Sequence, residues 1–411
     1  MKTLLRISLC ICIVFAFPLK GSNKASTGIE VLAKRTPDGI PIVNLLGTYP
    51  ENEISLQDIA DVEYVPLETR NDVLVAGSIA YYSKKHLVVF NQSRGDVFVF
   101  DAKTGKVISK FNHKGNGGNE YISMSGVAYD ENAGKVYIAD NRAASIVLVY
   151  TKEGTYINTL PLPEGVRVEK ILNVDNETLL IYNRYLSGQT MDINHAQPYI
   201  FISKKDGQEL SRIDIKLSKR LAKRVSVPLS GRAAFPITIA MNDNTKYGDE
   251  YIFADLSCDT VFQYTKKQGL KPLLIRTPSV WDNPRAFLGM LSGLKTDRFI
   301  SLVSVAFDFE AIKSGYEKGN MPNLNFTSLM YDIRNNTVFI PKIVNADNPH
   351  AYTSYDCNGI DIQEKNTIVS FLAAEQLVTA LENDQLSGKL KILAETLEED
   401  ANPVLMIIKY K

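Results

Sequence analysis

Two stretches of this sequence carry the same pattern 49 residues apart: Leu87-Val-Val-Phe-Asn91 and Val136-Tyr-Ile-Ala-Asp140, each a short apolar strand ending on an Asx residue. Val97-Phe-Val-Phe-Asp101 then leads to Gly105 and Val147-Leu-Val-Tyr-Thr151 to Gly154, again 49 apart. Another apolar stretch follows each glycine (106–111, 155–160), and one more precedes each unit (77–82, 125–129). The unit is four short strands joined by tight turns. It recurs with insertions at 179–215, at 251–275 and at 299–343, where Asn335-Asn336 carries the turn. Segments 359–362 and 367–372 open a last unit, completed by 403–410 and by 62–66 from the other end of the chain.

Four-stranded units of about 40–50 residues, repeated radially, are the signature of a β-propeller. Strands from both termini in one unit remove the open edge that a linear array would leave. The expected fold is all-β: a six-bladed β-propeller closed by N- and C-terminal strands. Composition agrees, with 45% hydrophobic residues, 20 Tyr and 17 Phe against one Trp, a mix that suits buried sheet. Lys+Arg and Asp+Glu are equal at 46 each, which excludes a global field for nucleic acid or an anionic membrane.

Lys2 and Arg6 precede an uncharged apolar run, 7–17, broken by Pro18, Lys20 and Gly21. That describes a secretory signal, 1–25, and the run is too short to span a bilayer, which takes roughly 20 residues. Cys10 and Cys12 lie inside the run, too near its basic end to favour a lipid anchor. The organisation expected is a signal, an extension over 26–53, and the propeller over 54–411. A helical insertion is expected at about 373–400, from Leu377, Val378 and Leu381 and then Leu390, Leu393 and Leu397. Export places the protein in the periplasm or on the cell surface, with no transmembrane span.

Tyr64-Val-Pro-Leu-Glu-Thr69 followed by Gly77, the loop Gly115-Asn-Gly-Gly-Asn-Glu120-Tyr121 and the closing Asn402-Pro-Val-Leu-Met-Ile-Ile-Lys409 resemble the 6-bladed β-propeller family of Bacteroidetes, a relative of the NHL-repeat propellers. The family's loop reads Gly-x-Gly-Pro-Gly-Glu-Tyr, from which Gly118 and Asn119 depart. The resemblance implies the fold and leaves the chemistry open.

Strand alternation sends the second-to-third loops and the links between units to one face, and the Gly105, Gly154, Gly207 and Gly269 turns to the other. The long segments 183–198, 216–236, 276–295, 306–326, 344–358 and 373–402 all belong to the first, near face, and binding usually resides in such loops. Candidate ligand-binding residues there are Glu120, Tyr121, Asn141, Arg142, Arg184, Tyr185, Arg232 and Trp281. Against this stand plainer readings: an Asx turn pairing Arg142 with a carboxylate, and Trp281 as an apolar plug. Gly115 to Gly118 read as a tight turn, since no helix follows to make a phosphate loop. Lys216, Lys219, Arg220, Lys223 and Arg224 fall on one face of a short expected helix, a candidate contact for an anionic partner.

Cys258 and Cys357 read as separate thiols. His86, His113, His195 and His350 show no metal-ligand spacing, and no nucleophile–base motif is visible, so no catalytic residue and no cofactor is assigned. The expectation is a binding or interaction protein holding a glycan, a peptide or an envelope partner. The alternative is an NHL-like lyase or lactone hydrolase with calcium or zinc in the central channel.

Overall fold

Consecutive strand residues point to opposite faces, so a strand apolar on both faces must be covered on both sides. Leu87, Val88 and Val89 have no exposed surface, and neither do Val97 through Phe100. The sheets that carry them are stacked, each filling the space between two others. The computed structural model describes residues 31–142, 144–186, 190–220, 224–228, 234–238, 244–282, 286–308, 314, 318, 325–352 and 359–411. The expected signal with Cys10 and Cys12, and also Lys223, Arg232 and Cys357, lie outside the described residues.

The described chain begins with β1 (Val31–Leu32), β2 (Lys34–Arg35), β3 (Pro41–Asn44) and β4 (Glu51–Ser55), then one helical turn, α1 (Leu56–Ile59), and β5 (Ala60–Pro66). The first antiparallel meander is β6 (Ser78–Tyr82), β7 (His86–Phe90), β8 (Asp96–Asp101) and β9 (Val107–Asn112). The second is β10 (Met124–Asp130), β11 (Lys135–Asp140), β12 (Ile146–Thr151) and β13 (Tyr156–Pro161). The third is β14 (Val168–Asn173), β15 (Thr178–Asn183), β16 (Tyr199–Ser203) and β17 (Glu209–Arg212), with α2 (Ile193–Ala196) in its β15–β16 loop. A hairpin, β18 (Arg224–Pro228) and β19 (Ala234–Thr238), precedes the fourth: β20 (Asn244–Tyr247), β21 (Glu250–Phe253), β22 (Thr260–Thr265) and β23 (Gly269–Thr277). The fifth is β24 (Ala286–Lys295), β25 (Phe299–Asp308), β26 (Asn325–Asp332) and β27 (Thr337–Asn345), onto which β28 (Asn348–Tyr352) folds back. Last come β29 (Asp361–Ile362), β30 (Thr367–Leu372), helices α3 (Ala374–Glu382) and α4 (Gly388–Ala394), and β31 (Val404–Tyr410).

The fold is all-β and propeller-like. Val88, Val97 and Val99 of the first meander pack with Val127, Tyr129 and Ile138 of the second. Ala139, Val147 and Val149 of the second pack with Val168, Ile171 and Ile181 of the third. Leu180, Tyr199 and Phe201 of the third pack with Tyr251 and Phe253 of the fourth. Leu294, Phe299 and Met330 of the fifth meet Ile368, Met406 and Ile408. A larger cluster joins the fourth meander to the fifth, and β5, β30 and β31 to the first. β31 runs between β30 and β5, from Val404↔Pro66 to Tyr410↔Ala60.

The far-face turns repeat one contact. Gly207 has φ +77°, and a Cβ there would lie 2.1 Å from the Pro161 carbonyl oxygen of β13. Gly105 has φ +70°, with a Cβ 2.0 Å from the Pro66 carbonyl oxygen of β5. So β5 stands to the first meander as β13 stands to the third. Gly269, at φ +70°, has nothing within 4 Å of that position. Gly269→Ala is therefore expected to lose only the left-handed-backbone term, about 1–2 kcal/mol. Gly207→Ala must also displace a packed carbonyl, so its urea midpoint is expected to fall clearly further.

Several expectations need correction. Segment 359–362 does not pair with β30: β29 runs parallel to both β6 (Asp361↔Tyr81) and β20 (Lys246↔Asp361), linking the first and fourth meanders. It is held there by backbone bonds from Gly248 N to Ile362 O and from Gln363 N to Tyr82 O, and by a buried ion pair, Lys246 Nζ to Asp361 Oδ1 at 2.9 Å. The described part of the expected extension is not separate either. β3 lies parallel on β23, β4 parallel on β27 and β1 antiparallel on β27, so these strands cover the outer edges of the fourth and fifth meanders. Of the segments read as irregular loops, 276–295 holds β24, 344–358 holds β28, and 216–236 holds β18 and the start of β19. Helices α3 and α4 pack through Leu377, Leu390 and Ala394 beside Val404. Among the described residues, no helix is long and apolar enough to cross a membrane.

Candidate functional site

The far face is built of turn chemistry. Asp101 Oδ1 accepts from Lys103 N (3.1 Å), Thr104 N (2.7 Å) and Thr104 Oγ1 (2.7 Å), and the Thr104 bonds hold its carboxyl below the ordinary range. Lys204 and Asp130, both buried, pair at 2.6 Å.

On the near face of the second meander, the buried Asp140 carboxylate accepts from Ile122 N and Ser123 N, both at 2.9 Å, and from Arg142 Nε (2.9 Å) and Nη2 (2.7 Å). Arg142 also donates to Glu120 O, and its side chain is 22% exposed. Three candidates beside it are committed to structure. Tyr121 has no exposed surface; its hydroxyl donates to Gly95 O (2.6 Å) and accepts from His113 N (2.8 Å). Asn141 clasps Val168, donating to its O (2.6 Å) and accepting from its N (2.9 Å). Glu120 Oε2 accepts from Gly117 N at 2.7 Å, so the chain's own carboxylate sits in the glycine loop. Backbone groups at strand ends under a neighbouring sheet need partners, and these side chains supply them.

Among the described residues of the basic segment the expected helix is absent: residues 216–220 are irregular and Arg224 opens β18. Among the described side chains, the cations are not one solvated face. Lys216 is exposed and pairs with Asp214 at 3.3 Å, whereas Arg220 is buried with a side chain 2% exposed. Burying Leu217 among Leu172, Leu180, Tyr251 and Phe253 pins this stretch against the third and fourth meanders.

That burial assembles a network between the third and fourth meanders. Arg220 Nη1 donates to Asn183 O (3.0 Å) and Nη2 to the Tyr182 hydroxyl (2.5 Å). Tyr182 donates to Asp255 Oδ2 at 2.7 Å, and Asp255 Oδ1 accepts from Ser257 N at 2.8 Å. Ser257 O accepts from Trp281 Nε1 at 3.1 Å, while Lys219 Nζ lies 5.6 Å from the centre of the Trp281 ring. Tyr185 lies 5.4 Å from the Arg220 guanidinium and 5.3 Å, edge-on, from the buried His195 ring. Arg184 N donates to Arg167 O at 2.6 Å, and Arg167 Nη1 donates to Arg142 O, so this group abuts the Arg142 site. Of the candidates, Tyr185 and Trp281 contact this network, and Arg184 and Arg142 are linked to it through their backbones and Arg167. Tyr182, Asp255 and His195 were missed. Asn183 and Asp255 stand at the ends of second strands just as Asn91 and Asp140 do, and that pattern marks Asp255 and, through its neighbour Asn183, Tyr182; His195, in α2, carries no such signal.

The crevice between these meanders, lined by Lys170, Leu172, Leu180, Tyr182, Tyr199 and Phe253, has no room for a water molecule. Where β29 lies between β6 and β20, a divalent cation would face the Lys246 ammonium beside Asp361, a donor set that does not fit one. Among the described residues, no group of three or more His, Cys, Asp or Glu side chains is placed to hold a metal. Cys258 is a free thiol, its pKa pushed up by burial.

No curated protein matches the sequence at a significant level. Among solved structures, a Bacteroides fragilis protein described as exported superposes with TM-score 0.58 at 17% identity, covering 90% of this chain and 99% of that one. A member of the DUF4221 family from Bacteroides vulgatus gives TM-score 0.46 at 8% identity, covering 86% and 97%. Virginiamycin B lyase from Staphylococcus aureus gives 0.37 at 11%, covering 86% and 100%. The first shares the fold; the other two are too distant to bear on activity. Residues 40–409 match the family model described as Domain of unknown function (DUF4934), and with nearly the whole repeat array inside that match, the chain belongs to this family.

Proposed function

We propose that the protein is an exported binding protein on a six-bladed propeller, closed where β31 joins β5, with its ligand held on the near face at Arg142, Arg184, Tyr185, Lys219 and Trp281. One observation carries the reading. The exposed Lys219 and Trp281 and the half-buried Tyr185 lie over the third and fourth meanders and are braced from behind by the Trp281–Ser257–Asp255–Tyr182–Arg220 network, whereas the far face is spent on turns. Exposed Leu186, Met191 and Ile193 adjoin Tyr185 in the same loop, an apolar margin suited to a ligand larger than an ion. Export is supported by the apolar run after Lys2 and Arg6 and by the exported Bacteroides fragilis neighbour. Ligands with oxygen pairs, acidic glycans or peptides, match guanidinium and ammonium donors.

Acidic glycan and peptide arrays test this. Lys219→Ala with Trp281→Ala is expected to weaken the captured ligand about tenfold or more, since each charge-assisted bond is worth about 1.5–3 kcal/mol, and to leave the melting temperature nearly unchanged. Far-face Lys103→Ala and Lys205→Ala are expected to leave binding intact. Loss of binding through those changes alone would assign function to the other face.

A further inference from the structure

We infer that Arg220 is the carboxylate anchor of this site, that Tyr185 is the cover over it, and that the ligand class is a sugar acid. The inference rests on the near-face reading. A buried guanidinium is ordinarily matched by a carboxylate in bidentate contact. Arg220 is not: Asp255 Oδ2 stands 3.9 Å away, with the Tyr182 hydroxyl bonded to both. Its Nη groups reach Asn183 O and Tyr182, and Nε has no hydrogen-bond partner among the described residues.

A second buried polar side chain meets the same Tyr185 ring. His195 is 5% exposed. Its Nδ1 lies 2.8 Å from Asp192 Oδ1, yet neither ring nitrogen makes a hydrogen bond of good geometry. Such groups are rare in a folded protein and ask for an acceptor. Tyr185 borders both donors, ring edge to His195 and over the Arg220 guanidinium. It is half-buried and is followed by the exposed Leu186. Rotating its side chain outwards opens the space between an Nε–H and an imidazole, and a carboxylate entering there takes the Arg220 Nε–H while the imidazole binds its second oxygen as a donor. The adjoining Lys219 and Trp281 offer an ammonium for hydroxyl oxygens and an indole for the C–H face of a pyranose. That combination favours a uronic acid over a bare carboxylate.

Titration calorimetry of the full-length protein with glucuronate, galacturonate, glucose and acetate tests the inference. Saturable binding of a uronate is expected, with glucose and acetate each at least about tenfold weaker, because the charged pair and the stacked ring act together. Tyr185→Ala is expected to speed uronate association. Arg220→Lys is expected to erase the preference for uronate over glucose, whereas a merely structural Arg220 would lower the melting temperature and leave that ratio alone. If Arg220→Lys fails to fold, the Arg220 Nε–H resonance in the wild type decides: a shift on adding glucuronate supports the anchor, and an unmoved resonance overturns it. Absence of uronate binding in both wild type and Tyr185→Ala also overturns it. In that case array ligands lost in Lys219→Ala/Trp281→Ala leave the near-face reading standing, and their retention removes both.

Discussion

A chain lacking residues 404–411 loses its cooperative unfolding transition. β31 pairs with β5 at seven positions and with β30 at six, and Val404, Leu405, Met406, Ile407, Ile408 and Tyr410 are all buried. Each buried apolar side chain stabilises by about 1.5–3 kcal/mol and each backbone bond by about 1 kcal/mol. Together these terms exceed the whole stability of a domain, about 5–15 kcal/mol. The truncation also strips β5 from the sheet against which the Gly105 turn is packed. Thermal unfolding followed by circular dichroism reads the outcome. A truncated protein that melts within a degree or two of the intact one would refute the proposed closure.

Lys246→Met is expected to destabilise the protein by about 3–5 kcal/mol at neutral pH, the usual cost of leaving one member of a buried ion pair alone. Lys246 and Asp361 are 5% and 1% exposed, and their pair holds β29 between β6 and β20. Burial raises the Asp361 pKa, and Lys246 opposes that rise. Removing the ammonium raises it further. An acid with a raised folded-state pKa binds its proton more tightly when folded. Its stabilisation is complete below the unfolded pKa and is lost as pH rises through the folded one. Lys246→Met is therefore expected to regain stability between pH 8 and pH 5, by chemical denaturation at each pH. Lys246→Met with Asp361→Leu is expected to recover much of the deficit at both. A single variant as stable as wild type at pH 8 would show that the Lys246–Asp361 pair does not hold β29.

Residues that repeat were readable, and residues that act once were not. Val97-Phe-Val-Phe is buried on both faces, so its continuous apolar run survives as a pattern in the sequence, and Gly207 is required by a positive φ and a packed carbonyl. Asp361-Ile362 has no such pattern. Two residues in parallel register between β6 and β20 obey no period, and only the packing of the first and fourth meanders brings those edges within reach of one strand. Pro41–Asn44 and Glu51–Ser55 are equally short, and their placement depends on β23 and β27 presenting open edges.

The candidate site divides along the same line. Tyr121 and Asn141 carry polar groups at strand ends, which in sequence look the same whether they face a ligand or a neighbouring backbone. The spacing of Lys216, Lys219, Arg220, Lys223 and Arg224 suits a helical face, but Leu217 and Arg220 are drawn into the gap between two meanders, and that gap exists only once those meanders have packed together. Strand period, turn residues and the order of the meanders are local properties, set by which side chains alternate and where φ must be positive. Which cation is buried, which Asx residue faces Arg220 and what lies between β6 and β20 depend on contacts between residues far apart in the chain, and these arise from packing the sheets against one another.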